Sequence, residues 1–142
     1  VERLDSFDDH PGGPCGLALE NYETDLDAER ALLKKHGMGC AVIGSRRNDT
    51  KSRKLRFKVG YPDDLQVPFF MTYFNIDPKP KNFVHPKGVV RIEQVRFGTR
   101  KELFPLIREM CDDKTLELCE GNGIEGFTFE YAPGCEPAPV EL

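Results

Sequence analysis

Residues 67–76 read VPFFMTYFNI, the longest apolar and aromatic run in the chain. Four of these ten residues are aromatic, with Met71 and Thr72 between them, and such residue types suit a pleated, packed surface. Alternation puts Phe69, Met71 and Tyr73 on one face and Phe70, Thr72, Phe74 and Ile76 on the other. Both faces are then apolar, which is the pattern of a central strand covered on two sides. Pro68, near the start, is where a missing N–H does least harm. The reading is an α+β fold: one antiparallel sheet of about five or six strands, built around 67–76 and covered by two helices.

The flanking segments are read as neighbours of that strand. Residues 54–59, KLRFKV, alternate cleanly, with Leu55, Phe57 and Val59 on one face and Lys54, Arg56 and Lys58 on the other. Residues 38–43, MGCAVI, read as a shorter strand, and 88–98 as a strand whose phase slips until a bulge near Glu93 and Gln94 repairs it. Residues 114–120 and 124–131 read as a hairpin about Gly121, Asn122 and Gly123.

Two helices are predicted from their boundary signals. In 24–36, TDLDAERALLKKH, Thr24 caps, Asp25 and Asp27 fill the first turn, Lys34, Lys35 and His36 fill the last, and Gly37 terminates. Ala28, Ala31 and Leu32 form its stripe, with Leu26 and Leu33 at the flank. Thr99 to Glu102 has the spacing of a capping box, followed by the stripe Leu103, Leu106, Ile107 and Met110, with Pro105 beyond the first turn. In element order the chain is similar to the cystatin-like arrangement of a helix against a curved sheet. The division is an irregular acidic arm over 1–23, an α+β domain over 24–131, and a Pro-rich acidic tail over 132–142.

Charge is divided more sharply than the net value of -4 conveys. Residues 1–30 hold nine acids and two bases, residues 112–142 eight and one, and residues 31–111 seven acids and seventeen bases. The middle is thus +10 between two ends of -7 each, an arrangement that either folds its ends over the middle or meets an anionic partner. The bases concentrate in Arg46, Arg47, Lys51, Arg53, Lys54, Arg56 and Lys58, with one acid among them. This segment is the binding patch read from sequence, with Tyr73, and with Phe83 and His85 of the long loop 77–88, as its aromatic and loop contacts.

Other classes are narrowed by what the chain lacks. No GxSxG, P-loop, HExxH, EF-hand loop or correctly placed GxGxxG occurs, so no catalytic residue and no metal ligand is assigned. No apolar run approaches the roughly 18 residues of a membrane span, and a soluble chain is expected. Five cysteines without CxxC spacing leave at least one thiol outside any disulfide, and Cys15 and Cys135 could tie the two ends together in an oxidising compartment. The chain begins at Val1, which fits a processed secreted or organellar protein or a trimmed piece, and localisation stays open.

The tetrapeptide His10-Pro11-Gly12-Gly13 resembles the haem-ligand motif of the cytochrome b5 family, with His36 near the spacing of that family's second ligand. The resemblance implies a haem held between two imidazoles. Only nine residues precede His10, too few for the strands that the family places there, and the segment after His36 reads as strand where that family is helical. No cofactor is therefore assigned. The leading functional expectation is a non-catalytic protein–protein interaction module, an accessory or structural subunit of a larger assembly, resting on the two-sided aromatic strand beside a row of cations. Two alternatives stand beside it: an anion or nucleic-acid binder using residues 46–58, and a small-molecule-binding protein or enzyme with a pocket between helix and sheet.

Overall fold

A computed structural model describes residue 14 and residues 16–137. The clean alternation of 54–59 becomes a long pairing in space. Strand β2 (Cys40–Asn48) and strand β3 (Lys54–Pro62) run antiparallel without a break, from Cys40 opposite Pro62 to Asn48 opposite Lys54. Asp49 closes the turn between them by accepting the backbone N–H groups of Lys51 and Arg53, each at 2.8 Å.

Two further strands complete this sheet. β1 (Ala18–Glu20) runs parallel to β4 (Phe69–Met71), β4 runs antiparallel to β3, and the order is β1-β4-β3-β2. With α1 (Asp27–Lys35) between β1 and β2, the first part of the chain is a βαβββ unit. The apolar stretch 67–76 does lie inside a sheet, between two neighbours, but only three of its residues form strand. Side chains explain where the ladder stops. Thr72 Oγ1 accepts the Lys58 N–H at 2.9 Å, and Asn75 Oδ1 accepts the Arg56 N–H at 2.7 Å. Two polar side chains thus satisfy β3 where backbone carbonyls would otherwise do so, and the chain between them is released from the pleat.

The second sheet comprises β5 (Val89–Thr99), β6 (Leu116–Glu120) and β7 (Gly123–Tyr131) in the order β6-β5-β7. β6 is parallel to β5 and β7 antiparallel to it, with a register shift between Ile92 and Gln94, at the bulge expected from the slipped phase. α2 (Phe104–Met110), preceded by a turn of 3-10 helix at Lys101–Leu103, joins β5 to β6.

Several expectations are corrected. The single antiparallel sheet is two mixed sheets, since β1 with β4 and β5 with β6 are parallel, and the first part of the chain has the element order βαβββ. The expected hairpin is absent: β6 and β7 lie on opposite edges of β5. The arm 1–23, read as irregular, supplies β1. α1 begins at Asp27, after Leu26, where the Asp25 carboxylate accepts the Asp27 N–H at 3.1 Å and Thr24 plays no part. Its buried face is turned from the expected stripe, with Leu26 and Leu33 inside and Ala28 and Ala31 exposed. The capping box at Thr99 does not form. The buried Thr99 hydroxyl donates to the Gln66 carbonyl at 2.8 Å, so the helix starts later and Pro105 falls within its first turn, which tolerates it.

One apolar core unites these parts. Leu26 just before α1 and Leu33 within it, Val67 just before β4 and Phe70 within it, Phe97 and Leu116 from the second sheet, and Leu103, Leu106 and Ile107 around α2 form a single buried cluster. Phe70 lies over Gly60, where a Cβ would come within 2.2 Å of the ring. Cys111, Cys119 and Cys135 are free thiols, and Cys15, the partner expected for Cys135, lies outside the described residues. Among the described residues no helix is long and apolar enough to cross a membrane.

Candidate functional site

β2 and β3 bring selected members of the basic segment together by register alone. Arg46 is directly opposite Arg56, and Gly44 is opposite Lys58, so these four share one face of the hairpin. That face also carries Gly60 and Phe70, which α1 and the core cover. Further along, where β4 has ended, the same face opens into a cleft of about 560 Å³. Its lining is Thr24, Gly44, Ser45, Arg46, Arg56, Phe57, Lys58, Thr72, Tyr73, Phe74 and Asn75. The volume lies within the roughly 300–1,000 Å³ of small-molecule sites.

The wall of the cleft is made by the segment released from β4. Phe74 packs edge-on to Phe57 with centroids 5.3 Å apart, and Tyr73 meets Phe74 at 5.8 Å and Tyr22 at 5.4 Å. The Tyr73 hydroxyl donates to Asp77 at 2.7 Å. That hydrogen bond, then desolvation and the Asp77 charge, push the phenol up to about 12, so the ring stays neutral and its proton stays committed to Asp77. Asp77 is held below the usual carboxylate range by the Lys79 N–H and then by Tyr73.

This arrangement has a titration signature. Replacing Asp77 with Asn removes the charged acceptor, and the highest-titrating tyrosine should move down toward the ordinary value of about 10. Because the folded-state value is raised, the contribution to stability is complete below about pH 10 and is lost as pH rises through about 12. Ultraviolet difference titration of the parent and the Asp77→Asn protein reads both. An unchanged high step in the variant would detach Tyr73 from Asp77.

The structure sorts the seven sequence-predicted cations by partner. Arg53 is taken by Asp49: Nε lies 2.7 Å from Oδ2, and desolvation, which raises the Asp49 carboxyl, is outweighed by hydrogen bonds from Arg53 and Lys51 that hold it low. Arg47 projects to the other face and sits 5.2 Å over the Phe74 ring. Lys51 lies in the turn and Lys54 at the head of β3, and neither lines the cleft. Arg46, Arg56 and Lys58 are the three that do, and no carboxylate lies within ion-pair distance of any of them among the described residues.

Of the loop and aromatic residues, Tyr73 lines the cleft, whereas Phe83 and His85 lie elsewhere. These two border a separate depression of about 480 Å³ beside the start of β5, with Val84, Val90 and Ile92. Sequence reading missed Gly44, Phe57, Thr72, Phe74 and Asn75 as site residues. Asn75 carried a signal, being the one amide inside an otherwise apolar and aromatic run. His36 ends α1 with Nε2 3.5 Å from a Glu109 oxygen, and His10 lies outside the described residues. Among the described residues no three His, Cys, Asp or Glu side chains gather as a metal site would require.

Positive charge from Arg46, Arg56 and Lys58 on one face can stabilise negative charge placed in the cleft. Among its lining residues none is an Asp, Glu, His or Cys.

The first sheet and its helix thus form a βαβββ unit that carries an open cleft with a few convergent polar groups. A family model described as Glyoxalase-like domain matches residues 2–108, and the chain belongs to that family. The βαβββ unit is the fold of this family. No curated protein and no solved structure matches the chain. Members of the family are typically enzymes or ligand-binding proteins, so the expectation of a non-catalytic interaction module is overturned. The aromatic residues that motivated it are in large part interior: Phe70 is buried, and Phe57, Phe69, Tyr73 and Phe74 are half-buried against other side chains.

Proposed function

We propose that this chain is a small-molecule-binding domain of the glyoxalase-like family, with its ligand seated in the cleft on β2 and β3. The observation that carries the reading is the convergence of Arg46, Arg56 and Lys58 on the one face of β2 and β3 that opens into the cleft, beside Thr72 and Asn75. Family membership supports it, since the alternative of a pocket-bearing protein accords with a glyoxalase-like chain better than an interaction module does. The sheet supplies rigidity, and the segment 72–75, fixed by Thr72 and Asn75, supplies shape.

Gly44 makes the test clean. It forms part of the cleft, and a Cβ built on it meets no atom within 4 Å. Gly44→Val therefore puts a side chain into the cleft without a clash, on a strand that favours β-branched residues. Fragment screening by amide-resolved NMR should place hits on the amides of Gly44, Lys58, Thr72 and Asn75. Gly44→Val should weaken those hits by about tenfold or more while leaving the melting temperature unchanged. Hits that cluster elsewhere, or that bind the variant as well as the parent, would refute the assignment.

A further inference from the structure

The most unusual electrostatic feature of the molecule is the pairing of Arg46 with Arg56. In an antiparallel ladder, directly opposed side chains have Cβ atoms roughly 4.5–5.5 Å apart, and like charges placed there repel. Lys58, two residues along the same face of β3, adds a third positive charge. Elsewhere on the surface several exposed cations meet acids, among them Arg53 with Asp49, Arg91 with Glu130, and Arg100 with Asp64. Of the acids close to the cleft in sequence, Asp49 is engaged by Arg53, Asp77 by the Tyr73 hydroxyl and the Lys79 N–H, and Asp25 by the Asp27 N–H. Three unneutralised cations on one face make an arrangement that repels itself when empty and is relieved by an anion.

We infer that the ligand of this cleft is a small organic oxyanion, a carboxylate or phosphate ester, whose charged group is held between Arg46, Arg56 and Lys58. The inference rests on the cleft being the ligand site. The guanidinium groups match an oxyanion in geometry, each offering a planar fork of N–H donors, and the ammonium of Lys58 adds a point charge. A nucleic-acid strand would require bases to spread along a basic track, but the remaining cations diverge: Arg47 is on the opposite face and Arg53 is neutralised.

The test titrates the intact chain, in low-salt buffer free of phosphate, with benzoate, phenyl phosphate and, as a neutral counterpart, benzyl alcohol. Benzoate or phenyl phosphate should shift the amides of Gly44, Arg56, Lys58 and Asn75, benzyl alcohol should bind about tenfold or more weakly, and Arg56→Gln should weaken the anions by a similar factor. The tighter of the two anions identifies the oxyanion class. Stability supplies a second readout. Without ligand, Arg56→Gln should melt at the parent temperature or up to about 3 °C above it, because a repulsion is removed, and saturating anion should reverse that order. If benzyl alcohol binds the same amides as well as benzoate, and Arg56→Gln changes neither, the anion inference falls while the cleft stands. If none of the probes touches these amides, both fall. If a short oligothymidylate binds more tightly than either anion, with shifts spreading to Arg47, Lys51 and Lys79, the small-anion inference is overturned in favour of a strand.

Discussion

Phe70→Ala should lower the unfolding free energy by about 3–5 kcal/mol, the largest effect of any change considered, because a buried ring is deleted where neighbours cannot close the gap. Phe70 is 2 % exposed and belongs to the cluster that also contains Leu26, which precedes α1, Leu33 of α1 and Phe97 of the second sheet. It is the middle residue of the three-residue β4, opposite Leu19 on one side and Gly60 on the other. Gly60 exists to admit it, since any Cβ there would collide with the ring. Removing the ring therefore opens a cavity bordered by a glycine on one side, a site with little capacity to relax. The loss is a large share of the roughly 5–15 kcal/mol by which domains of this size are stable. Urea denaturation should show the midpoint falling with the slope unchanged. A loss under 1 kcal/mol would mean that the ring is not the centre of the core.

Gly98→Ala should cost about 2–3 kcal/mol, at the upper end of overpacking effects, for a topological reason. β6 and β7 flank β5 on opposite sides, yet only Gly121 and Asn122 lie between them in sequence. Two strand spacings are about 10 Å, so a link this short has to run straight across the end of β5. It crosses at Gly98, where a Cβ would lie 2.7 Å from the Asn122 nitrogen and 2.8 Å from the Gly121 carbonyl carbon. Those are backbone atoms, which cannot swing aside as a side chain can. A methyl group here forces the crossing outward and strains the pairing of Gly98 with Gly123 and Cys119. Thermal unfolding of Gly98→Ala against Gly126→Ala makes the comparison, because a Cβ at Gly126 meets nothing within 4 Å. Equal melting temperatures would refute the crossing.

The second case shows why part of the fold could not be read from residues. Strand and helix identities were legible: 54–59 alternates and forms β3, the slipped phase near Glu93 becomes a register shift, and Leu103, Leu106 and Ile107 are the buried face of α2. Partnership was not. Residues 114–131 carry every local sign of a hairpin, but β5 lies between the two strands because it offers each of them a paired edge that a two-stranded ribbon lacks. The same holds for β1, whose three residues carry too little pattern to announce a strand and become one only by lying parallel to β4.

The site divides along the same line. Its charge was plain in the segment from Arg46 to Lys58, and Tyr73 was marked by the aromatic run. Which cations act together was decided by the unbroken register of β2 on β3, and which are withdrawn was decided by Asp49 and Phe74. The conflict between an aromatic strand needing cover and a basic strand needing water is resolved along the length of one face. The core covers it at Gly60 and Phe70, and it opens at Lys58 and Arg56.

By itself the sequence determined the element types, the two-faced character of 67–76 and the cationic character of the segment beside it, because periodicity and residue type are local properties. Only the tertiary structure decided that the aromatic run would leave the sheet after Met71. That outcome depends on Thr72 and Asn75 meeting the N–H groups of Lys58 and Arg56, residues 14 and 19 positions away, and such a contact exists only once the strands have paired.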